Sequence, residues 1–241
     1  MVVVITSKLD LPSQFQHHHI SSLVHGFLME QLTTEMAQQL HAYRYNPLKL
    51  RVYVQHKQWY LQVVSLEASL SIELVKVFDQ LSSLNLRYHK LQVPLTDTAI
   101  QTIDIAQLVK ASMTKTDPAK TFKLTFVTPT TFKDGKGYDV FPDIRKILRS
   151  AMLTFDYFSE QTKIYDYETL AYLSDNLKII SYNLHSTKFK LEGSYVPGFK
   201  GSIIIKARGQ QQILQLLELI FAYARLSGVG VKTSLGMGGI L

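Results

Sequence analysis

The sequence predicts an α+β chain built as two tandem ferredoxin-like (βαββαβ, RRM-like) domains that end in a C-terminal glycine-rich loop. Three observations predict it. Short β-branched runs alternate along the chain with apolar stripes at helical spacing. The same order of strands and helices occurs twice. A polar stretch with one proline, Thr114-Lys115-Thr116-Asp117-Pro118, parts the two copies. The domains expected are therefore 1–113 and 119–241, and 241 residues at 46% hydrophobic content are enough for two ordinary small cores.

Each element has its own signal. Val2 to Leu9 opens on a β-branched apolar run, Val2 to Ile5, and reads as a buried strand. From Phe15 the apolar positions switch to helical spacing: Phe15, Ile20, Leu23, Val24, Phe27, Leu28 and Leu32. Leu48 to Val54 and Trp59 to Leu66 are strands rich in Val, Tyr and Trp, and the polar Gln55-His56-Lys57-Gln58 between them suits a hairpin. Ile72, Leu74, Val75, Phe78 and Leu81 mark a helix, and Leu86 to Val93 returns as a strand. The second copy runs through a strand at Thr121 to Val127 and a helix carrying Ile144, Ile147, Leu148, Met152 and Phe155, opened near Pro142. Strands at Leu177 to Leu184 and Ser202 to Ala207 follow, then an apolar helix from Ile213 to Leu226.

Composition narrows the function classes. There are no cysteines, which removes disulfides and thiolate metal sites and agrees with a reducing, cytoplasmic setting. The start carries no basic head or small-residue cleavage site, and no uncharged apolar run reaches ~20 residues, so neither secretion nor membrane spanning is expected. The net charge of +7 is unevenly spread. Residues 1–112 hold 9 basic and 8 acidic side chains, whereas 113–241 hold 17 and 11. The second half is thus the better candidate for touching phosphates.

The closing segment Gly228-Val-Gly-Val-Lys-Thr-Ser-Leu-Gly-Met-Gly-Gly-Ile-Leu241 holds five of the chain's 12 glycines. A phosphate loop follows a strand and opens a helix, so that the helix N-terminus holds the anion. Here the order is reversed, which argues against nucleotide binding by that route. Glycines still let a backbone approach a phosphate or a helix closely, and Lys232, Thr233 and Ser234 supply donors.

This closing segment resembles the C-terminal glycine-rich loop of the CRISPR-associated endoribonucleases that process precursor CRISPR RNA, members of the repeat-associated (RAMP) superfamily. Leu124-Thr-Phe-Val-Thr-Pro-Thr-Thr-Phe132 is similar to the strand opening that family's second domain, and Val196-Pro-Gly-Phe-Lys-Gly201 to its later turn before a strand. The resemblance implies a metal-independent endoribonuclease, needing no cofactor, that cleaves CRISPR repeat RNA by 2′-hydroxyl attack. It also implies a catalytic histidine near the end of the first helical region, a tyrosine earlier in it and often a lysine beyond. Gln39-Leu-His-Ala-Tyr-Arg-Tyr-Asn-Pro-Leu-Lys-Leu50 places the histidine at His41, while His25 stands where the family has tyrosine and Lys49 lies about one position from the expected lysine. Imidazole can act as either proton partner near neutral pH, and Lys49 or Arg44 can supply positive charge to a crowded phosphate.

Cooperation between the two histidines sets a condition. Sixteen residues apart on one straight helix, they would sit some 24 Å apart on nearly opposite faces. Thr33-Thr34-Glu35 offers the break, with threonine as N-cap and glutamate suiting the helix dipole, so two helices are expected at about 15–32 and 35–42. The triplet His17-His18-His19 reads as exposed helix surface rather than a metal site, because no cysteine or nearby carboxylate pair completes a ligand set. Tyr43, Tyr45 and Tyr53 suit either base stacking or core packing.

For RNA binding the candidates are Arg44, Lys188, Lys190, Lys200, Lys206, Arg208, Lys232, Thr233, Ser234, Gly236 and Gly238. The expected ligand is CRISPR repeat RNA (pre-crRNA), with a type I or type III effector complex and a second copy of the chain as further candidate partners. The alternative is a non-catalytic RNA-binding subunit of a CRISPR ribonucleoprotein, since this superfamily reuses one fold.

Overall fold

The computed structural model describes residues 1–11, 17–86, 90–191 and 193–241, and the side chains of all of these except 17–19. The helix opening at Phe15 and the surface reading of His17, His18 and His19 therefore lie outside the described residues and side chains. The first half contains β1 (Val2–Leu9), α1 (His17–Gln31), α2 (Thr34–Ala42), β2 (Leu48–Gln55), β3 (Gln58–Ser65), α3 (Ala68–Gln80), β4 (Ser83–Leu86), β5 (Leu91–Ile103) and α4 (Ile105–Met113). Its sheet runs β2-β3-β1-β5-β4 with every pair antiparallel, which is the ferredoxin-like order extended by β4.

β1 is apolar at consecutive positions because both faces of its sheet are covered. Val3 and Ile5 pack with Val24, Leu28 and Leu74 of α1 and α3. Val2 and Val4 face the other way, onto Phe155, Leu219 and Tyr223 of the second half. The expected strand at Leu86 to Val93 is instead a hairpin: Leu86 ends β4 and Leu91 starts β5. Leu84, Leu86, Val93 and Leu95 all point into the core from its two arms, and the sequence between the arms, Arg87-Tyr88-His89-Lys90, has no glycine, proline, asparagine or aspartate to mark a turn. Residues 87–89 between the arms are outside the described residues.

The second half contains β6 (Thr121–Thr130), β7 (Lys133–Asp134), β8 (Gly137–Tyr138), α5 (Ile144–Phe158), α6 (Tyr167–Asp175), β9 (Leu177–Leu191), β10 (Ser194–Ala207) and α7 (Gln211–Ser227). Its sheet has the order β6-β10-β9. The place of a fourth strand, beside β6, is taken by the end of the glycine-rich segment. Val127 N–H donates to Gly239 O (2.9 Å), Leu241 N–H to Thr125 O (3.0 Å) and Gly238 N–H to Pro129 O (2.9 Å).

β10 begins eight residues before the expected Ser202, so Val196–Gly201 is strand rather than turn. The turn-like composition has a physical cause. Gly201, at φ +120°, sits at a shift of register against β6, and a Cβ there would lie 2.1 Å from Asn183 O. Arg51, 1% exposed, fastens the two halves together. From β2 its guanidinium donates to Ile240 O (2.6 Å) and to Arg225 O and Leu226 O (2.5 and 3.2 Å), carbonyls that the end of α7 leaves without helical partners. Among the described residues no helix is long and apolar enough to cross a membrane.

Candidate active site

The helix break falls where the threonine predicts it. Thr33 caps α2 by accepting from Met36 N–H (3.2 Å). Glu73 of α3 then holds Thr33 from outside, accepting from its hydroxyl (2.9 Å) and its N–H (3.1 Å). The fold back brings His41, in the last turn of α2, close enough to act electrostatically on His25 of α1. His25 is pushed down to about 4, first by burial and then by His41, so at neutral pH it is an uncharged imidazole. Asn46 carries the chain from α2 into β2: its side-chain amide donates to Leu40 O (2.9 Å), and its side-chain oxygen accepts from Leu48 N–H (2.9 Å). That fixed corner sets Lys49 at the mouth of β2.

His41 and Lys49 line one cavity of about 360 Å³ with Arg44, Lys232, Thr233 and Ser234. His25 is not among its lining residues. Among the described residues no carboxylate lines the cavity, so it is receptive to an anion. Lys49 is 5% exposed and donates to Thr233 Oγ1 (3.0 Å). Burial alone pushes its ammonium down to about 7, which puts its charge change at neutral pH.

The terminal loop forms the opposite wall. Leu50 N–H donates to Thr233 O (3.0 Å), so the loop is tied to β2 beside Lys49. Lys232 has a φ of +58°, a left-handed conformation uncommon outside glycine, and its carbonyl accepts from Leu235 and Met237 N–H (3.0 and 3.2 Å). Gly236 and Gly238 are buried and their Cβ positions face protein: an added Cβ would lie 2.2 Å from Ser21 Cβ of α1 and 2.1 Å from Val229 O respectively. These two glycines shape the loop, while Lys232, Thr233 and Ser234 present its donors.

The remaining basic candidates are spread along the hairpin of β9 and β10. Lys200 pairs with His185, and burial lowers its ammonium. Phe189 packs towards Met237 of the loop, which turns the exposed Lys188 and Lys190 to the other face of β9. Lys206 pairs with Lys178, six residues or ~20 Å along β10 from Lys200, and Arg208 lies beyond the strand. The structure thus gathers Arg44, Lys49 and Lys232 and leaves Lys206 and Arg208 apart from them. Tyr43 and Tyr45 line the cavity, whereas Tyr53 is buried and stacked on Tyr60, a core residue.

Two lining residues carry no sequence signal of their own. Ser150 of α5 accepts the Gly230 N–H at Oγ (2.9 Å), and Thr154 donates back to Ser150 O (2.8 Å). Both belong to the second half, so the cavity is completed across the joint between halves. Only the i, i+4 spacing of two hydroxyls on one helix could have marked them.

Residues 124–240 match the family model described as CRISPR-associated endoribonuclease Cas6. A CRISPR-associated endoribonuclease Cas6 of Streptococcus thermophilus is 29% identical over 242 residues, covering 99% of this chain and 96% of that protein. Among solved structures, a Cas6 product complex superposes with a TM-score of 0.80 at 20% identity, covering 100% of this chain and 98% of the other. Thermus thermophilus Cas6 superposes with a TM-score of 0.73 at 21% identity, again over 100% and 98%.

Proposed function

We propose that the chain is a member of the Cas6 family of CRISPR-associated endoribonucleases, which its match over residues 124–240 and its 29% identical relative support, and that it cuts CRISPR repeat RNA in precursor transcripts without a metal, giving guide RNAs. The observation that carries the reading is the cavity in which His41 and Lys49 meet the terminal loop, with no carboxylate among the described residues of its walls. In the reaction, the 2′-oxygen of the nucleotide before the cut attacks the phosphorus and the bond from phosphorus to the 5′-oxygen breaks. One product ends in a 2′,3′-cyclic phosphate and the other begins with a 5′-hydroxyl. A base takes the 2′-hydroxyl proton and an acid gives one to the departing oxygen.

His41, exposed into the cavity from the end of α2, is the proton-transfer residue. Lys49, with its charge change near neutral pH, steadies the phosphate as an ammonium. A histidine pushed down to about 4 is a poor base at neutral pH, so His25 supports His41 as a neutral neighbour. Domains 1–113 and 119–241 divide the work between chemistry and RNA grip, in a cytoplasmic setting. An effector complex and a second copy remain candidate partners.

The test uses the adjacent repeat RNA, labelled and incubated with excess chelator. Wild type is expected to cut once per repeat and leave a cyclic phosphate. A 2′-deoxy substitution at the cut nucleotide should abolish cutting, and His41→Ala should slow single-turnover cutting by ~100-fold or more while leaving affinity near wild type. Cutting that stops in chelator overturns the metal-free mechanism. RNA bound tightly and never cut makes the protein a non-catalytic RNA-binding subunit.

A further inference from the structure

A second groove of about 450 Å³ opens beside the cavity and shares Tyr45, Ser150 and Gly230 with it. Arg145, Arg149 and Leu153, at i, i+4 and i+8 on α5, form one wall, and Lys133 and Val231 face them. The charges here are not equally engaged. Lys146 is held by Asp139 (2.9 Å) and Asp134 (3.4 Å). Among the described residues, the exposed Arg145 and Arg149 have no carboxylate partner. Arg145 lies over the Tyr167 ring, 5.1 Å from its centre, which holds the guanidinium in place without neutralising it. Tyr45 is also fixed, with its ring 5.2 Å from Tyr157 and the Arg44 guanidinium 5.6 Å above it.

Two free guanidiniums a helical turn apart, ~6 Å along the axis, match the step between neighbouring phosphates of one strand. The apolar patch of Leu153 and Val231 and the ring of Tyr45 suit sugars and a base. A small anion would use the charges and leave the apolar surface idle. We propose that this groove is a second RNA subsite, in which Arg145 and Arg149 take consecutive phosphates of the strand leading from the cut and Tyr45 stacks a base. The assignment rests on reading the neighbouring cavity as the site of cutting. Ser150 stands at the junction: its oxygen accepts from Gly230 N–H, so its own proton is left to donate to the phosphate between the two sites.

The experiment measures affinity for repeat RNA with a 2′-deoxy cut nucleotide over a range of salt. The variants are Arg145→Ala/Arg149→Ala and Arg145→Lys/Arg149→Lys, with Lys57→Ala, in the distant β2–β3 hairpin, as control. Circular dichroism confirms that each is folded. The alanine pair is expected to weaken binding tenfold or more and to flatten the log–log salt slope by ~1.4, two contacts at ~0.7 each on a single strand. The lysine pair, which keeps both charges, should keep the slope, and Lys57→Ala should change nothing. Shortening the RNA from the end that fills the groove should bring wild type and the alanine pair to the same affinity. An alanine pair with wild-type affinity and slope overturns the subsite while leaving the cutting reaction intact. A wild type that binds no repeat RNA overturns both.

Discussion

The two halves share one strand and helix plan but finish it differently. In the first half the last strand, β5, is 13 residues long and pairs with β1 from Leu95 to Ile103, across one register shift. In the second the last strand is reduced to the bridge at Ile240 and its neighbours, and the residues before it form a glycine loop. A complete strand would seal the edge of β6. The shortened one leaves room for a cavity that the first half fills with His41 and Lys49. One half therefore provides the reacting groups on a rigid corner, and the other gives up regular structure to enclose them.

If the cavity depends on both halves, loosening their joint should have the largest effect. Phe155 of α5 is 1% exposed, packs towards Val2 and Val4 of β1, and its ring lies 5.0 Å from that of Tyr223. Phe155→Ala is expected to cost about 3–5 kcal/mol, read from the urea midpoint. A loss under ~1 kcal/mol would show that the halves are not held through this surface.

Gly236→Val attacks the loop itself. Its φ of +110° is strained for a β-branched residue, and its Cβ would collide with Ser21 of α1. The expected cost is ~1–3 kcal/mol of stability, with RNA binding weakened more than by Lys232→Ala. Melting temperature measured beside affinity separates lost packing from lost contact. A variant that melts and binds as wild type removes this loop from the RNA site.

Much of this comparison was legible in the sequence. The doubled plan, the break at Thr33 and the reversed order around the closing glycines all follow from local signals that act within a few residues. What stayed hidden depends on distant packing. α4 carries Ile105, Leu108 and Val109 at helical spacing towards the joint with the second half, but nine residues are too short a stretch for that spacing alone to mark a helix or its partner. The hairpin of β4 and β5 was masked because no glycine, proline, asparagine or aspartate stands between its arms. Within the site, His41 is marked by a motif, but the burial of Lys49 is set by a loop 184 residues away. The ridge of Arg145 and Arg149 was passed over because reading α5 for its apolar stripe ignores the face opposite.

Lys49 sharpens the comparison by pH. Its folded value of about 7 lies below the ordinary 10.5, so between these values the unfolded chain holds a proton that the folded chain has released. Stability should therefore rise with pH across that window. Lys49→Met should remove the rise, stabilise the protein at pH 7 by ~0.5–2 kcal/mol and abolish most cutting, as expected where a strained group serves function. Melting curves from pH 7 to 10 check it. A wild type whose stability is flat over this range would mean that Lys49 keeps its charge in the folded state.

The smallest expected effect concerns the far edge of the second half. Lys188 and Lys190 lie on the face of β9 away from Phe189 and the terminal loop, so any phosphate they meet is remote from the cut. Each lysine that contacts a phosphate releases a counterion, and removing it should flatten the log–log dependence of affinity on salt by ~0.7 to 0.9. Lys188→Ala/Lys190→Ala is thus expected to lower the slope by ~1.4 to 1.8, with the loss of affinity confined to low salt. The readout is filter binding of repeat RNA at several salt concentrations. A drop in slope would extend the RNA path around the edge of the second sheet, making that half the grip for both ends of the ligand. An unchanged slope would confine the grip to the joint between the halves, and the excess basic charge of residues 113–241 would then act by long-range attraction rather than by contact.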